Sequence, residues 1–349
     1  MNHLFGRQSP LKPLRLGLFA LLALTLVTRS AEPVIRIRLA TLAPKGTSFH
    51  KSLQTMGEKW GQIAAGKVAL TLYTDGTMGG EADMVRRMRV EQIQAAMLTV
   101  GGLSQIDDAV SGIQNMPMMF HSLAELDHVR EQLRPMLEKR FLDKGFVVLF
   151  WADAGWVRFF TKKPALRPDD FKKAKMYVTA GDVRTADIMK AIGINPVLLE
   201  PTDILTGLQT GLLDAVPSVP FYALSGQFFG PASHMLEINW APLVGGTLIT
   251  KKAWDAMPAE WHAALRKAAE EAGAEIKNRS RAEGDESVEA MKKRGLIVQT
   301  PTAEVITEWQ RFAEGVYPML RGKIVPAEMF DEVQRLLKEY RATHGEAGS

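Results

Sequence analysis

The sequence predicts an α/β protein with two lobes, because two similar strand–helix–strand patterns lie 120 positions apart. The clearer pattern is NPVLLEPTDILTGLQTGLLDAVPSVP at 195–220, in which Thr202 is placed to cap the helix and Gly211 to end it in the left-handed conformation. The weaker pattern is EADMVRRMRVEQIQAAMLTV at 81–100, with apolar residues at matching positions. Two such units would bring equivalent strand ends face to face, which predicts a ligand cleft between the lobes.

The other elements alternate between strand and helix along most of the chain, and helices collect at its end. This order favours largely parallel sheets. The predicted strands are 34–42, 68–73, 94–100, 146–151, 157–161, 175–179 and 295–300. The predicted helices are 49–63, one beginning near 81, 185–192, one long helix or two in series over 258–294, 303–317 and 326–341.

Composition excludes several classes of protein. A chain of 349 residues with 46% hydrophobic residues favours two domains with ordinary cores. The net charge of +4 is small and its charges are interleaved, so the sequence offers no concentrated basic face for nucleic acid. The chain has no cysteine, which removes disulfides, thiolate metal sites and cysteine nucleophiles.

The first thirty residues have the order of a secretory signal peptide. Arg7, Lys12 and Arg15 precede the apolar run LGLFALLALTLV at 16–27, and cleavage is predicted near Ser30. An uncleaved anchor is the alternative. The sequence therefore predicts an exported, periplasmic protein whose mature chain (from residue 31) is not embedded in the membrane.

No arrangement of side chains in the sequence suggests catalysis. The seven histidines form no HExxH spacing, and no GxSxG sequence is present. The carboxylates at 107–108 and 169–170 are adjacent, so neither pair can face across a substrate. We therefore expect a protein that is not an enzyme and has no metal or cofactor.

Four segments resemble a known family: DGTMGGEADMVRRM at 75–88, PMMF at 117–120, 151–155, and INPVLLEPTDILTGLQTGLLDA at 194–215. A fifth, TLITKKAWDAMP at 247–258, also matches. Over about residues 35–340 the chain resembles the solute-binding subunits of tripartite ATP-independent periplasmic (TRAP) transporters, the DctP-type family. The resemblance implies the two-lobed periplasmic-binding-protein fold, with hinge strands, a long helix shared by both lobes and closure around a small ligand. It also implies small and large membrane permease subunits as partners.

The resemblance divides the chain as follows. Residues 1–30 are the signal peptide, 31–155 are lobe I (with part of 245–290 returning to it) and 156–244 are lobe II. The long helical segment 258–294 spans the lobes, and 295–349 supply a C-terminal strand and helices.

The chain departs from the family at its carboxylate-binding positions. Tyr177 stands where carboxylate-binding members have an arginine, and a tyrosine cannot form the charged bidentate clamp of a guanidinium. A second frequent arginine position holds Val157, with Arg158 one residue later and so on the opposite strand face unless a bulge intervenes. The polar run after the LQTG helix is replaced by AVPSVP at 215–220. We therefore predict a neutral or apolar ligand rather than a simple carboxylate, and leave open whether Arg158 or Arg184 replaces the missing arginine.

Aromatic side chains before and after the second unit predict the pocket, together with lobe-facing polar groups. The predicted ligand-binding residues are Thr99, Trp151, Trp156, Arg158, Tyr177, Val178, Ser218, Phe221 and Trp240. The alternative function is a ligand-binding sensor or envelope interaction protein of the same fold that no longer serves transport. Neighbouring permease genes would favour transport, and a neighbouring sensor kinase would favour the alternative.

Overall fold

The computed structural model describes residues 33–345, so the predicted signal peptide lies outside the described residues. Strands and helices alternate through most of this range. The strands are β1 (Ile35–Thr41), β2 (Val68–Tyr73), β3 (Ala95–Thr99), β4 (Phe146–Thr161), β5 (Lys175–Thr179), β6 (Asn195–Leu199), β7 (Ala215–Ser218), β8 (His234–Thr250) and β9 (Ile297–Gln299). The helices are α1 (Ser48–Ile63), α2 (Glu81–Arg89), α3 (Val100–Leu103), α4 (Leu123–Asp143), α5 (Val183–Ala191), α6 (Ile204–Thr210), α7 (Pro220–Ser225), α8 (Lys251–Asp255), α9 (Ala259–Lys292), α10 (Ala303–Leu320) and α11 (Ala327–His344).

The strands follow the order β2-β1-β3-β8-β4-β7-β5-β6, and β9 pairs with β8. The predicted α/β class is confirmed, but the expectation of largely parallel sheets is wrong at the centre. There β8 runs antiparallel to both β3 and β4, and β4 runs antiparallel to β7. The two long strands β4 and β8 form an antiparallel ribbon that continues from one lobe into the other.

The ribbon also corrects the prediction of two separate strands at 146–151 and 157–161. The structure has one strand, β4, whose pairing with β8 shifts register between Asp153 and Trp156 and again between Val157 and Phe159. Gly155 supplies the left-handed backbone conformation at the first shift, with φ of 78°. Irregular pairing at this point explains why the sequence pattern breaks without the strand ending.

The two lobes contain the same unit. β1 pairs in parallel with β2 and β3, and β5 pairs in parallel with β6 and β7. The turn after the second helix of each unit has a residue with positive φ at the same place: Glu91 (61°) in the first and Gly211 (77°) in the second. The predicted end of the helix at Gly211 is thus confirmed, whereas the predicted cap is not. A short 3₁₀ turn over Pro201–Asp203 comes first, and α6 begins at Ile204 after Asp203.

Helices cover both faces of the sheet in each lobe, as expected for buried parallel strands. Adjacent residues of the strands belong to different apolar clusters, because side chains alternate between the faces. In the first lobe Ala40 and Leu39 lie in different clusters, and in the second lobe Phe160 and Phe159 do. Helix α9 joins the lobes: its Leu265 packs in the first and its Met291 in the second.

A buried ionic network fixes α9 to the middle of β4. The guanidinium of Arg281 on α9 bonds Asp153 on β4 (Nη2 to Oδ2, 2.7 Å) and Asp127 on α4 (Nη1 to Oδ2, 2.9 Å). Arg130 adds a further ion pair to Asp153. Because the side chain of Asp153 is fully buried, the two guanidiniums are needed to balance its charge.

A second buried pair holds the C-terminal helix. Arg341 on α11 donates two hydrogen bonds to the buried Glu125 on α4, at 2.7 and 2.9 Å, and a third to the carbonyl of Met119.

Within residues 33–345, no helix is both long and apolar enough to cross a membrane.

Candidate functional site

A cavity of about 320 Å³ lies between the lobes, at the ends of the strands of both units. Part of its lining comes from equivalent positions of the two strand–helix–strand units. Each of five residues that line it in the first unit has a counterpart that lines it 120 positions later. The pairs are Glu81 and Pro201, Met97 and Pro217, Leu98 and Ser218, Thr99 and Val219, and Gly101 and Phe221. The two walls of the cavity are therefore built from equivalent parts of the two lobes.

The first wall is polar where β3 ends. Glu81, the first residue of α2, accepts hydrogen bonds from the backbone N–H and the hydroxyl of Thr99, at 2.7 and 2.6 Å, and from the N–H of Gly102 at 2.8 Å. A Cβ on Gly102 would lie 2.8 Å from the Cβ of Glu81, so only glycine permits this close approach. The carboxylate is thereby held against the turn from β3 to α3.

The second wall is formed by β5 and β7. Tyr177 and Thr179 line the cavity and join their hydroxyls at 3.1 Å, while Pro217, Ser218 and Val219 line it from the end of β7. Burial raises the pKa of Tyr177 well above its ordinary value of 10.0. The tyrosine therefore remains a neutral hydroxyl throughout the physiological pH range.

The ribbon closes the cavity at its base. Val157 of β4 and Leu243 to Gly246 of β8 line it, and Gln114 accepts a hydrogen bond from the N–H of Val244 at 2.8 Å. Gly245 passes so close to β3 that a Cβ there would lie 2.6 Å from the carbonyl oxygen of Leu98. Only glycine therefore permits β8 to pair this closely with β3 at the base of the cavity.

Aromatic rings enclose the remaining sides. The ring of Phe49, on α1, lies 5.3 Å from the ring of Phe221, on α7, measured between centroids. Tyr222 and Phe150 also line the cavity. Desolvation raises the pKa of Tyr222, with a further contribution from the charges of Asp75 and Glu81.

The charged residues that line the cavity are all acidic. None of its lining residues, within the part of the chain that the structure describes, is Lys, Arg or His. Asp153 is balanced by Arg281 and Arg130, and the exposed Asp182 caps α5 through the N–H of Thr185. Glu81 has three hydrogen bonds but no cation within ion-pair distance among residues 33–345, and burial raises its pKa above the ordinary 4.5.

Four of the nine predicted ligand-binding residues line the cavity: Thr99, Tyr177, Ser218 and Phe221. The other five are placed elsewhere by the structure. Val178 points to the opposite face from its neighbours Tyr177 and Thr179, as alternation along β5 requires. Arg158, which is paired with Ser218, does not line the cavity either and forms an ion pair with Glu237 at 2.9 Å.

The three predicted tryptophans belong to the cores. Trp151 packs on Phe141 and donates its indole N–H to Glu138 at 3.2 Å. Trp156 packs against the first-lobe core, and Trp240 joins a ring cluster with Phe159 and Trp309. The aromatic density near the crossing point was interpreted as a ligand pocket, but for these three residues it reflects packing of large apolar side chains.

Sequence reasoning missed Glu81, Gln114 and Phe49. Glu81 was visible as the acidic residue that opens the helix after the glycine-rich loop. An acid at a helix N-terminus is already explained by the favourable helix dipole, so nothing in the residue pattern placed Glu81 in the cleft. Arg184, considered as a replacement cation, does not line the cavity and donates to the carbonyl of Lys323 at 3.1 Å.

The two-lobed fold and the cavity between equivalent strand ends are typical of a protein that binds a small ligand. The chain belongs to the bacterial extracellular solute-binding protein family 7 (DctP), which it matches over residues 39–322. The resemblance to TRAP transporter solute-binding proteins is therefore confirmed, and the chain is a solute-binding subunit of this transporter class.

Two relatives illustrate the similarity in sequence. The chain is 22% identical over 296 residues to the C4-dicarboxylate-binding periplasmic protein DctP of Rhodobacter capsulatus, covering 84% of this chain and 88% of that protein. It is 25% identical over 274 residues to the 2,3-diketo-L-gulonate-binding periplasmic protein YiaO of Escherichia coli, covering 76% and 79%.

Solved structures show the same fold. A TRAP periplasmic solute-binding protein from Xanthobacter autotrophicus Py2 with bound β-D-galacturonate has a TM-score of 0.79 and 20% identity, covering 86% of this chain and 99% of that one. A TRAP periplasmic solute-binding protein from Sulfurospirillum deleyianum with bound succinate has a TM-score of 0.79 and 19% identity, covering 86% and 98%. These likenesses establish the two-lobed architecture.

Proposed function

We propose that this protein captures a neutral or substantially apolar solute between its lobes, without catalysis, and delivers it to the small and large membrane subunits of a TRAP permease. One observation carries the proposal on the solute: no Lys, Arg or His lines the cavity among the described residues. A carboxylate buried there would lose its hydration without gaining a cationic partner, which costs several kcal/mol. Similar proteins whose solved structures hold galacturonate or succinate bind anions, so this chain is proposed to have diverged in ligand chemistry.

The position of Tyr177 supports the same proposal. It lines the cavity on β5, where the resemblance places an arginine in carboxylate-binding members, and burial keeps its hydroxyl protonated. The other frequent arginine position, Val157, also lines the cavity and is apolar. Both positions that would hold a carboxylate thus face the cavity without a charge.

The experiment is a calorimetric titration of the purified mature protein, together with mass spectrometry of whatever co-purifies in the cleft. We expect no binding of succinate or galacturonate at millimolar concentration and a co-purifying molecule without a free carboxylate. Tight binding of either acid would contradict the proposal. We also propose that the predicted signal peptide exports the protein, which N-terminal sequencing of the mature chain tests. The lobe boundaries predicted at residues 155 and 244 are likewise a proposal, and limited proteolysis tests them.

A further inference from the structure

The Glu81 carboxyl group has no cation beside it, among residues 33–345, to balance the charge that it carries when ionised. Its three hydrogen bonds come from two backbone N–H groups and the Thr99 hydroxyl, none of which is charged. A carboxylate offers about four acceptor sites, which leaves one unused. Glu81 lines the cavity, so that remaining site and the uncompensated charge are available to a bound solute.

Other acids surround the same end of the cavity. The Glu200 carboxylate, from the opposite lobe, lies so close to Gly80 that a Cβ on this glycine would collide with it. The charges of Glu81 and Glu200 both act on Tyr177, and those of Glu81 and Asp75 both act on Tyr222. Three carboxylates from two lobes therefore make one end of the cleft electronegative.

The opposite character is found on the other wall, where Pro201 and Val219 stand in place of Glu81 and Thr99, and Pro217 stands in place of the apolar Met97. The rings of Phe49 and Phe221 cover this apolar region from the two lobes. An aromatic and aliphatic wall suits a hydrocarbon body, and aromatic faces also attract cations.

We propose that the solute is a small organic cation, with a positively charged nitrogen against Glu81 and an apolar body between the proline–valine wall and the rings of Phe49 and Phe221. This inference rests on the proposed capture of a largely apolar solute without a carboxylate, and it replaces the neutral alternative with a solute that has one positive charge. The reading of Glu81 as only a structural anchor accounts for its three hydrogen bonds. It leaves unexplained why Glu81 lines, without a cationic partner, a cavity that has no basic lining residue in the described part of the chain, with Glu200 and Asp75 nearby.

The test compares ligands that share a body and differ in charge. Wild-type protein is titrated by calorimetry with 2-phenylethylammonium, 2-phenylethanol and 3-phenylpropionate, and with hexylammonium, 1-hexanol and heptanoate. We expect at least one ammonium ion to bind about tenfold or more tightly than its alcohol, as a charged hydrogen bond provides, and neither carboxylate to bind. Equal or tighter binding of the alcohols, or no binding of either ammonium ion, overturns the inference. Tightest binding of a carboxylate overturns the proposed function as well.

A pair of variants locates the effect. Glu81→Gln should reduce ammonium affinity about tenfold and leave alcohol affinity within twofold. Glu283→Gln removes the same charge from a residue that accepts one hydrogen bond from Ser48 outside the cavity, and should change neither. An equal loss of ammonium and alcohol binding in folded Glu81→Gln would show a purely structural role and overturn the inference. If that variant does not fold, the wild-type comparison decides the question alone.

Discussion

The rings of Phe49 and Phe221 lie with their centroids 5.3 Å apart and their planes inclined by 31°, although they come from helices on opposite sides of the cleft. This contact joins α1 of the first lobe to α7 of the second directly beside the cavity. An aromatic pair contributes about 0.5–1.5 kcal/mol beyond the area that it buries, so the contact favours the closed arrangement of the lobes.

Replacing Phe221 by Leu should weaken ligand binding more than folding. We expect a loss of about threefold to tenfold in affinity for the tightest-binding probe, since the aromatic contact across the cleft is removed. Calorimetry measures the affinity and thermal unfolding the stability. The control is Phe312→Leu, which removes a ring contact with Trp309 away from the cavity and should leave affinity unchanged. Unchanged affinity in Phe221→Leu would contradict the role given to this contact.

Introducing a cation at Tyr177 should alter the preference of the cavity. Tyr177→Arg places a guanidinium on the second wall, and we expect succinate affinity to rise about tenfold or more because a charged hydrogen-bonded pair becomes available. Binding of 2-phenylethylammonium should weaken in the same variant. Leu198→Arg adds the same charge at an exposed position of β6 and serves as the control. If both variants gained the same affinity for succinate, the gain would come from the net charge of the protein and not from the cavity.

The pH dependence of binding follows from Glu81. Burial raises its pKa above 4.5, so on acidification its carboxylate is neutralised earlier than that of an exposed glutamate. Affinity for an ammonium probe should therefore decline as the pH falls through that raised pKa, and affinity for the matching alcohol should not. Tyr177 and Tyr222 remain neutral across this range, while Asp75 and Glu200 are the other acids that act on the site. If ammonium affinity in Glu81→Gln depended on pH as steeply as in the wild type, Glu81 would not be the source of the dependence.

The left-handed backbone conformation of Gly211 should make replacement by alanine destabilising even though the new side chain meets no neighbour. A Cβ there would meet nothing closer than the Lys162 ammonium at 3.9 Å, so Gly211→Ala tests conformation rather than collision. We expect a loss of about 1–2 kcal/mol in the free energy of unfolding, measured by denaturant titration. Gly315→Ala, within α10 and also without a close neighbour, should instead stabilise by about 0.5–1 kcal/mol. A neutral Gly211→Ala would show that the turn relaxes.

The pair of Arg341 and Glu125 should contribute stability that depends on pH. Burial alone would raise the pKa of Glu125, but the hydrogen bonds and charge of Arg341 outweigh it and hold the pKa below 4.5. Because the folded pKa is below the unfolded one, this contribution is complete above pH 4.5 and is lost as the pH falls through the folded value. Arg341→Ala leaves the buried Glu125 carboxylate without its cation, with only the backbone N–H of His121 as a donor, and should cost about 2–3 kcal/mol at neutral pH, less than a fully buried pair.

The same variant should lose less than the wild type on acidification, because protonation relieves its unpaired charge. Unfolding curves at several pH values should therefore show the gap between the two proteins narrowing below pH 4.5. Arg335→Ala, on the exposed face of the same helix, should cost less than about 1 kcal/mol at every pH. A constant gap for Arg341→Ala would exclude the ionic explanation.

Much of the fold could be predicted from the sequence because its units are local. The spacing of apolar residues and the glycine at 211 define a strand, a helix and a turn within twenty-five residues, and the structure repeats them in both lobes. The antiparallel ribbon of β4 and β8 could not be predicted from local patterns in this way. Its strands bulge near Gly155, and each register shift moves the side chains that follow to the other face.

The site was predicted in part for the same reason. Thr99 and Ser218 follow from their positions at strand ends, whereas Val178 and Arg158 each lie one residue from a cavity-lining position. A single residue along a strand separates the cavity from the core. Glu81 escaped prediction because its partner groups at Thr99 and Gly102 come together only in the folded chain.

The repeat that builds the cavity has a consequence for how a solute is handled. The backbones of the two walls are equivalent, yet Glu81 and Thr99 on one side correspond to Pro201 and Val219 on the other. We therefore expect a solute with one polar end and one apolar end to favour one orientation, with its polar end toward Glu81 and Thr99 of the first lobe.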